Sequence, residues 1–159
     1  MAVPTALVTH QTPIHFEVVG VPAPQGSKTV VAGKGQRAHV VEAGSKVGRA
    51  AQRAWRATVA DIARNVADQF DGPLDGPLEL AITFRLPMPA SRPKRIQAAG
   101  LAWSTVKPDL SKLIRSTEDA LTDAGLIRDD ARICYLEARK LEVVGWTGAQ
   151  IIIRRPNDP

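Results

Sequence analysis

Cysteine is nearly absent from this 159-residue chain. Cys134 stands alone, so no disulfide can form within the chain. It has no cysteine or histidine neighbour at metal-ligand spacing, which removes the thiolate zinc sites. It reads as a small hydrophobe on a strand in a reducing compartment. The three histidines, His10, His15 and His39, are scattered and form neither a metal set nor a triad; they read as surface residues. Aromatics make up only 4% of the chain. No apolar run approaches the ~20 residues that a membrane span needs. The start, Met1-Ala2-Val3-Pro4, lacks a basic region followed by a long apolar one, so a secretory leader is not expected. A cytoplasmic protein without a membrane is the expectation.

Basic residues are in excess. The formal net charge is +5 and the sequence pI is about 9.8. Such a balance favours polyanions, and its distribution is uneven. Between residues 25 and 64, Lys28, Lys34, Arg37, Lys46, Arg49, Arg53, Arg56 and Arg64 face only Glu42 and Asp61. Between residues 107 and 130 the balance reverses. There Asp109, Glu118, Asp119, Asp123, Asp129 and Asp130 outnumber Lys107, Lys112, Arg115 and Arg128. Basic residues hold phosphates, and carboxylates hold a hard cation. A basic body around an acidic centre fits a metal-dependent nuclease.

The length suits one domain. Residues 1–13 read as a loose arm and 14–155 as the folded domain. A first strand is expected over His15–Gly20, ended by the proline-rich Val21–Lys28 segment. A short hairpin would pair Thr29–Val31 with His39–Val41. Ser45 can cap a helix whose apolar stripe runs Val47, Ala51, Ala54, Trp55, Val59, Ile62 and Val66. Arg49, Arg53 and Arg56 share another face of it, which is either solvated or follows a DNA backbone. Leu80, Ile82, Phe84 and Leu86 alternate on one face of a half-buried strand over Leu78–Leu86. Pro87–Val106 reads as a loop carrying Arg92, Lys94, Arg95 and Trp103. Trp55 belongs to the core, whereas Trp103 either packs or stacks on an unpaired base. A second helix runs from Leu110 to Ala124, opened by Asp109 and closed by Gly125. Strands over Ala131–Val144 and Ala149–Arg154 complete the order β-α-β-α-β-β. The fold class is α/β (α+β), one domain with a mixed sheet and two main helices.

Each acidic residue has a plain reading. Asp109 caps a helix, Asp129 and Asp130 make a turn, and Glu118 and Asp123 are solvated. The helix after Asp109 is only ~22 Å long, and a returning strand need not bring Asp130 back to Asp109. Convergence could come through packing across the sheet or from a second subunit.

The segment Asp109-Leu-Ser111, Arg115, Asp119-Ala-Leu121, Gly125, Asp129-Asp130 resembles the RusA family of Holliday-junction resolvases. So does the upstream Gly20-Val-Pro-Ala-Pro-Gln-Gly-Ser-Lys28. The close resemblance spans about 25 residues, and the order of elements agrees. It implies a homodimeric endonuclease of DNA recombination and repair that nicks a four-way junction symmetrically. The setting would be a bacterial cell or a phage-infected host. The resemblance implies Mg²⁺, with Mn²⁺ as a substitute. Asp109, Asp129 and Asp130 would hold it, and Arg115 would be the catalytic cation beside them. Lys28, Arg49, Arg53, Arg56, Arg92, Lys94, Arg95, Lys107 and Lys112 would contact branched DNA. Two positions depart from the family pattern: Ser111 stands where the family has a second aspartate, and Arg115 where it commonly has lysine. Glu118 lies two helical turns beyond Ser111 on the same face, and Asp119 one residue further. Ser111, Glu118 or Asp119 is then the remaining ligand. The same departure also fits a DNA-binding protein that has lost catalysis. A basic assembly protein that uses nucleic acid as a scaffold is a third reading.

Overall fold

The computed structural model describes residues 12–26, 28–31, 39–42 and 45–157. Side chains are described outside residues 27–44. The elements in chain order are β1 (Ile14–Val19), β2 (Lys28–Val31), β3 (His39–Glu42), α1 (Lys46–Ala67), β4 (Leu78–Pro87), α2 (Lys94–Ala99), β5 (Leu101–Trp103), α3 (Leu110–Asp123), β6 (Ile133–Val143) and β7 (Gly148–Arg154). A 3₁₀ turn, Asp130–Arg132, precedes β6. Five strands form one mixed sheet in the order β1-β7-β4-β6-β5, and β2 and β3 form a separate hairpin. The β4–β6 pair is parallel, and the other pairs are antiparallel.

Both long helices arise where the sequence pattern places them. Ser45 accepts a hydrogen bond from Gly48 N–H at 3.0 Å, which starts α1. Gly125 follows the last turn of α3 with φ of 72°, a left-handed geometry that glycine adopts without Cβ strain. The expected loop over Pro87–Val106 is more structured than its composition indicates. It contains α2 and β5. Six-residue helices and three-residue strands carry too little periodicity to register in a pattern reading.

Alternation sets the layers. Leu80, Ile82, Phe84 and Leu86 of β4 are buried. Register aligns them with Ile153, Ile151 and Ala149 of β7 and with Leu136, Ala138, Lys140 and Glu142 of β6. α1 and α3 cover this face. The opposite face carries polar pairs such as Gln150–Glu17 and Arg139–Thr83, each at 2.9 Å. The β1–β7 approach is close enough to require a glycine. A Cβ at Gly148 would stand 1.9 Å from the Val18 carbonyl oxygen.

α1 and α3 lie side by side on the sheet. Trp55 is buried, and its indole N–H donates to Thr117 Oγ1 at 3.2 Å. The Thr117 hydroxyl donates in turn to the Leu113 carbonyl at 3.0 Å. This satisfies the polar edge of a large core side chain and fixes α3 against α1. Cys134 lies on β6 as expected but is exposed, with its thiol 3.4 Å from the Leu78 carbonyl oxygen. It is not a core hydrophobe.

Candidate functional site

α3 carries the acidic centre. Asp109 occupies its N-cap with extended backbone, yet its carboxylate makes no capping hydrogen bond. The carboxylate instead stands 3.4 Å from Lys112 Nζ, and both side chains are about half exposed. Helix capping therefore does not account for this aspartate. Lys140 of β6 holds the approach to Asp109 in place. Its ammonium donates to the carbonyls of Val106 and Pro108, the latter at 2.7 Å. Beside Asp109 lies a groove of about 460 Å³, bordered by Pro22, Pro24, Pro108, Lys107 and Lys112.

Nine residues along α3, Glu118 is half-buried. Burial raises its carboxyl above the ordinary range, and the charges of Asp130 and Asp119 raise it further. Arg115 opposes that shift. Glu118 is thus a neighbour of Asp130 and Arg115, and the expectation of a plainly solvated helix residue is corrected. Desolvation and like charge both penalise its ionised form. Asp130 itself is exposed at the head of the 3₁₀ turn, which rests against α3. Asp129 has the plainer role, since its carboxylate accepts from Ala131 N–H at 2.8 Å and caps that turn.

The sign of the Glu118 shift gives a stability test. A carboxyl whose folded value lies above its unfolded value destabilises the fold when ionised, and that penalty disappears as pH falls below the unfolded value. Glu118→Gln should therefore raise the melting temperature at pH 7, and the gain should vanish near pH 3. Thermal melts across that range check it. An equal gain at both ends would show that the charge is not the cause.

Several predicted residues are committed elsewhere. Arg56 does not continue an open arginine face with Arg53. It reaches α3, bonding Asp123 and lying 3.4 Å from Asp119. This pairing also sets Asp119 beside the Arg56 guanidinium, which bridges α1 and α3. Arg92 forms two bonds of 2.6 Å to Glu142, whose side chain is 2% exposed. The buried carboxylate had no signal in the sequence, because β6 alternates only weakly. Arg53 is exposed and Arg49 is half-buried on α1. Lys94, Arg95 and Lys107 are exposed. The Lys28 and His39 side chains and His10 lie outside the described residues. His15 is exposed, as expected. Trp103 is 68% exposed on β5, so it does not pack in the core.

The acidic groups do not all converge. Among the described residues, no three or more carboxylates, histidines or cysteines stand close enough to hold a metal ion. Asp109 and Glu118 are separated along α3 by on the order of 13 Å. What one chain brings together is Glu118, Asp130 and Arg115 at mid-helix, with Asp109 and Lys112 at its start. Residues 21–154 match the family model described as Endodeoxyribonuclease RusA. The chain belongs to that family. The match takes in α1, α3, β6 and β7, and so every part of the acidic centre. No curated protein matches the chain. Within the RusA family pattern, Ser111, Arg115 and Glu118 fall at positions i, i+4 and i+7 of α3. They share one flank, away from the Trp55 contact. Among the described residues no helix is long and apolar enough to cross a membrane.

Proposed function

We propose that this chain is a Mg²⁺-dependent, structure-selective endonuclease that resolves four-way DNA junctions as a homodimer, cutting two strands symmetrically. The family match over residues 21–154 supports nuclease chemistry. The observation that carries the site is the Glu118–Asp130 pair beside Arg115, where burial, and after it the charge of Asp130, holds the Glu118 carboxyl above its ordinary range. A hard divalent cation relieves that repulsion, and carboxylate oxygens are its fitting donors. The proposed metal-holding residues are Asp109, Asp129 and Asp130, with Ser111 or Glu118 completing the set. Of these, Asp130 and Glu118 are brought together in one chain. When bound, such an ion activates water and stabilises charge at the scissile phosphate.

The chain's own residues have separable tasks. Asp109 and Asp130 would hold the ion, which would supply the activated water. Arg115 stabilises developing charge on the phosphate and cannot carry a proton away, because guanidinium stays ionised. Lys107, Lys112, Lys94, Arg95, Arg49 and Arg53 hold the DNA backbone. Since Asp109 opens α3 and Glu118 lies nine residues further along it, a second subunit is a direct way to bring more carboxylates to each site. A junction with two-fold symmetry also matches a C₂ pair of sites.

A nicking assay on a synthetic four-way junction tests the activity. Cleavage should require Mg²⁺ or Mn²⁺ and spare a linear duplex. Absence of metal-dependent nicking with junction binding retained would instead establish a second reading, a branched-DNA-binding protein that has lost catalysis. Ser111 favours that second reading, because a neutral hydroxyl replaces a charged ligand. Ser111→Asp separates the two: it should raise the nicking rate if the missing carboxylate limits catalysis. If Glu118 already fills the role, the rate should stay level or fall, and Glu118→Gln should be as damaging as Asp109→Asn.

Backbone binding has its own test. Replacing Arg53 with alanine should weaken junction binding and flatten its salt dependence by up to about one unit of slope. Arg56→Ala should leave the slope unchanged and act on stability, because its charge is already met by Asp119 and Asp123. Equal slopes for the wild type and the Arg53→Ala variant would return that face of α1 to solvent.

A further inference from the structure

β6 spans Ile133–Val143, but β5 covers only Leu141–Val143 of it. One further bond, Ser104 N–H to the Lys140 carbonyl at 3.3 Å, extends the cover by a residue. No described strand pairs with the outer edge from Ile133 to Arg139. An open edge of this length presents unpaired backbone donors and acceptors to another chain. The Ser104–Lys140 and Val144–Gly100 bonds show which residues turn their backbone groups outward. They are the even-numbered ones. Beyond the irregularity opposite Leu78 and Glu79, these are Leu136 and Ala138.

Exposed edges are usually defended by charge, proline or a covering loop. This one carries exposed Glu137 and Arg139, the latter turned to Thr83 of β4, but also Tyr135 at 54% exposure and Leu136 at 43%, and Leu101, Trp103 and Val106 are exposed around its β5 end. Large apolar side chains gathered beside an unpaired edge mark a surface that is covered by protein.

We infer that two copies of the chain join along this edge, β6 pairing antiparallel with β6 of the partner subunit about a two-fold axis at Leu136. The inference rests on the homodimer proposed above and supplies its surface. A strand that pairs with itself must be self-complementary about the axis, and three centres are consistent with the outward backbone groups. An axis at Glu137 sets two glutamates directly opposite each other, which is destabilising. An axis at Ala138 runs the start of the partner's strand into β5, which already occupies Leu141–Val143. An axis at Leu136 stays within the open stretch. It brings Leu136 against Leu136 of the partner subunit on the helix-covered side. On the other side it sets Tyr135 across from Glu137 of the partner subunit. The joined sheet has ten strands and no open edge at its centre.

Disulfide trapping tests the surface without DNA or metal, so it is independent of the nuclease reading. In a Cys134→Ser background, Leu136→Cys should form a covalent dimer on mild oxidation. Hydrogen-bonded antiparallel partners stand about 5.5 Å apart at Cα, within the range a disulfide spans. Ala138→Cys in the same background should not, because two residues of offset on each strand separate the pair by roughly 14 Å. Leu136→Arg should shift the wild-type dimer to monomer by light scattering, with at least a hundredfold weaker association. If that variant does not fold, as judged by circular dichroism, the two cysteine variants decide. A wild-type monomer at micromolar concentration overturns both the homodimer and this surface. A wild-type dimer that Leu136→Cys fails to trap, or that Ala138→Cys traps instead, overturns this surface and leaves the homodimer standing.

Discussion

Asp130→Asn should lower Mg²⁺-dependent nicking of a four-way junction by at least about a hundredfold, the scale reached when one preorganised charge-stabilising group is lost. Asp109→Asn should do the same. In both, junction affinity should be retained or increased, because a negative charge beside phosphate has been removed. The structure adds a contrast. Asp129 spends one carboxylate oxygen on the Ala131 amide and caps the 3₁₀ turn. Asp129→Asn keeps an acceptor for that bond and should lose less activity than Asp130→Asn. Asp130 also raises the Glu118 carboxyl, so Asp130→Asn should ease Glu118 back toward its ordinary value. Single-turnover nicking with each variant, beside a binding titration in Ca²⁺, separates catalysis from affinity. Cleavage at the wild-type rate by Asp130→Asn would remove it from the catalytic set.

Arg92→Ala should lower the melting temperature markedly, because it removes the bidentate partner of the buried Glu142 carboxylate. The bidentate geometry, two bonds of 2.6 Å, leaves little room for another cation to substitute. Glu142→Gln combined with Arg92→Met should recover much of the loss, since the desolvation cost goes with the charges. The pH dependence follows from the same pair. Arg92 holds the Glu142 carboxyl below its ordinary value of 4.5. The stabilisation is therefore fully present above that value and is lost as pH falls through the depressed one. Arg92→Ala should cost most at neutral pH and least in acid. Lower junction affinity with an unchanged melting temperature would return Arg92 to the DNA-binding set.

Arg92 also shows where a sequence reading stops. A cation in a proline-rich loop has the same local signature whether it meets phosphate or a buried carboxylate fifty residues away. Arg56 is a similar case. Its spacing from Arg49 and Arg53 is a helical face, but a face is defined only against what packs beside it. The position of α3 turns Arg56 inward to Asp119 and Asp123. Glu118 moved in the opposite sense, from a solvated residue to a half-buried neighbour of Asp130, because the 3₁₀ turn folds back against the helix.

The periodic elements were legible without coordinates. The alternation of Leu80, Ile82, Phe84 and Leu86, the stripe through Trp55 and Val59, and the Asp109 and Gly125 boundaries of α3 depend on interactions within a few residues. So did the family resemblance, which rests on residue types at fixed spacing. The tertiary structure alone decided the strand order, with β7 inserted between β1 and β4, and the open length of β6. It also decided which charges meet, Glu118 with Asp130 and Arg56 with Asp123. These depend on long-range pairing and desolvation, and a local pattern holds no information about the distance between two residues that only packing brings together.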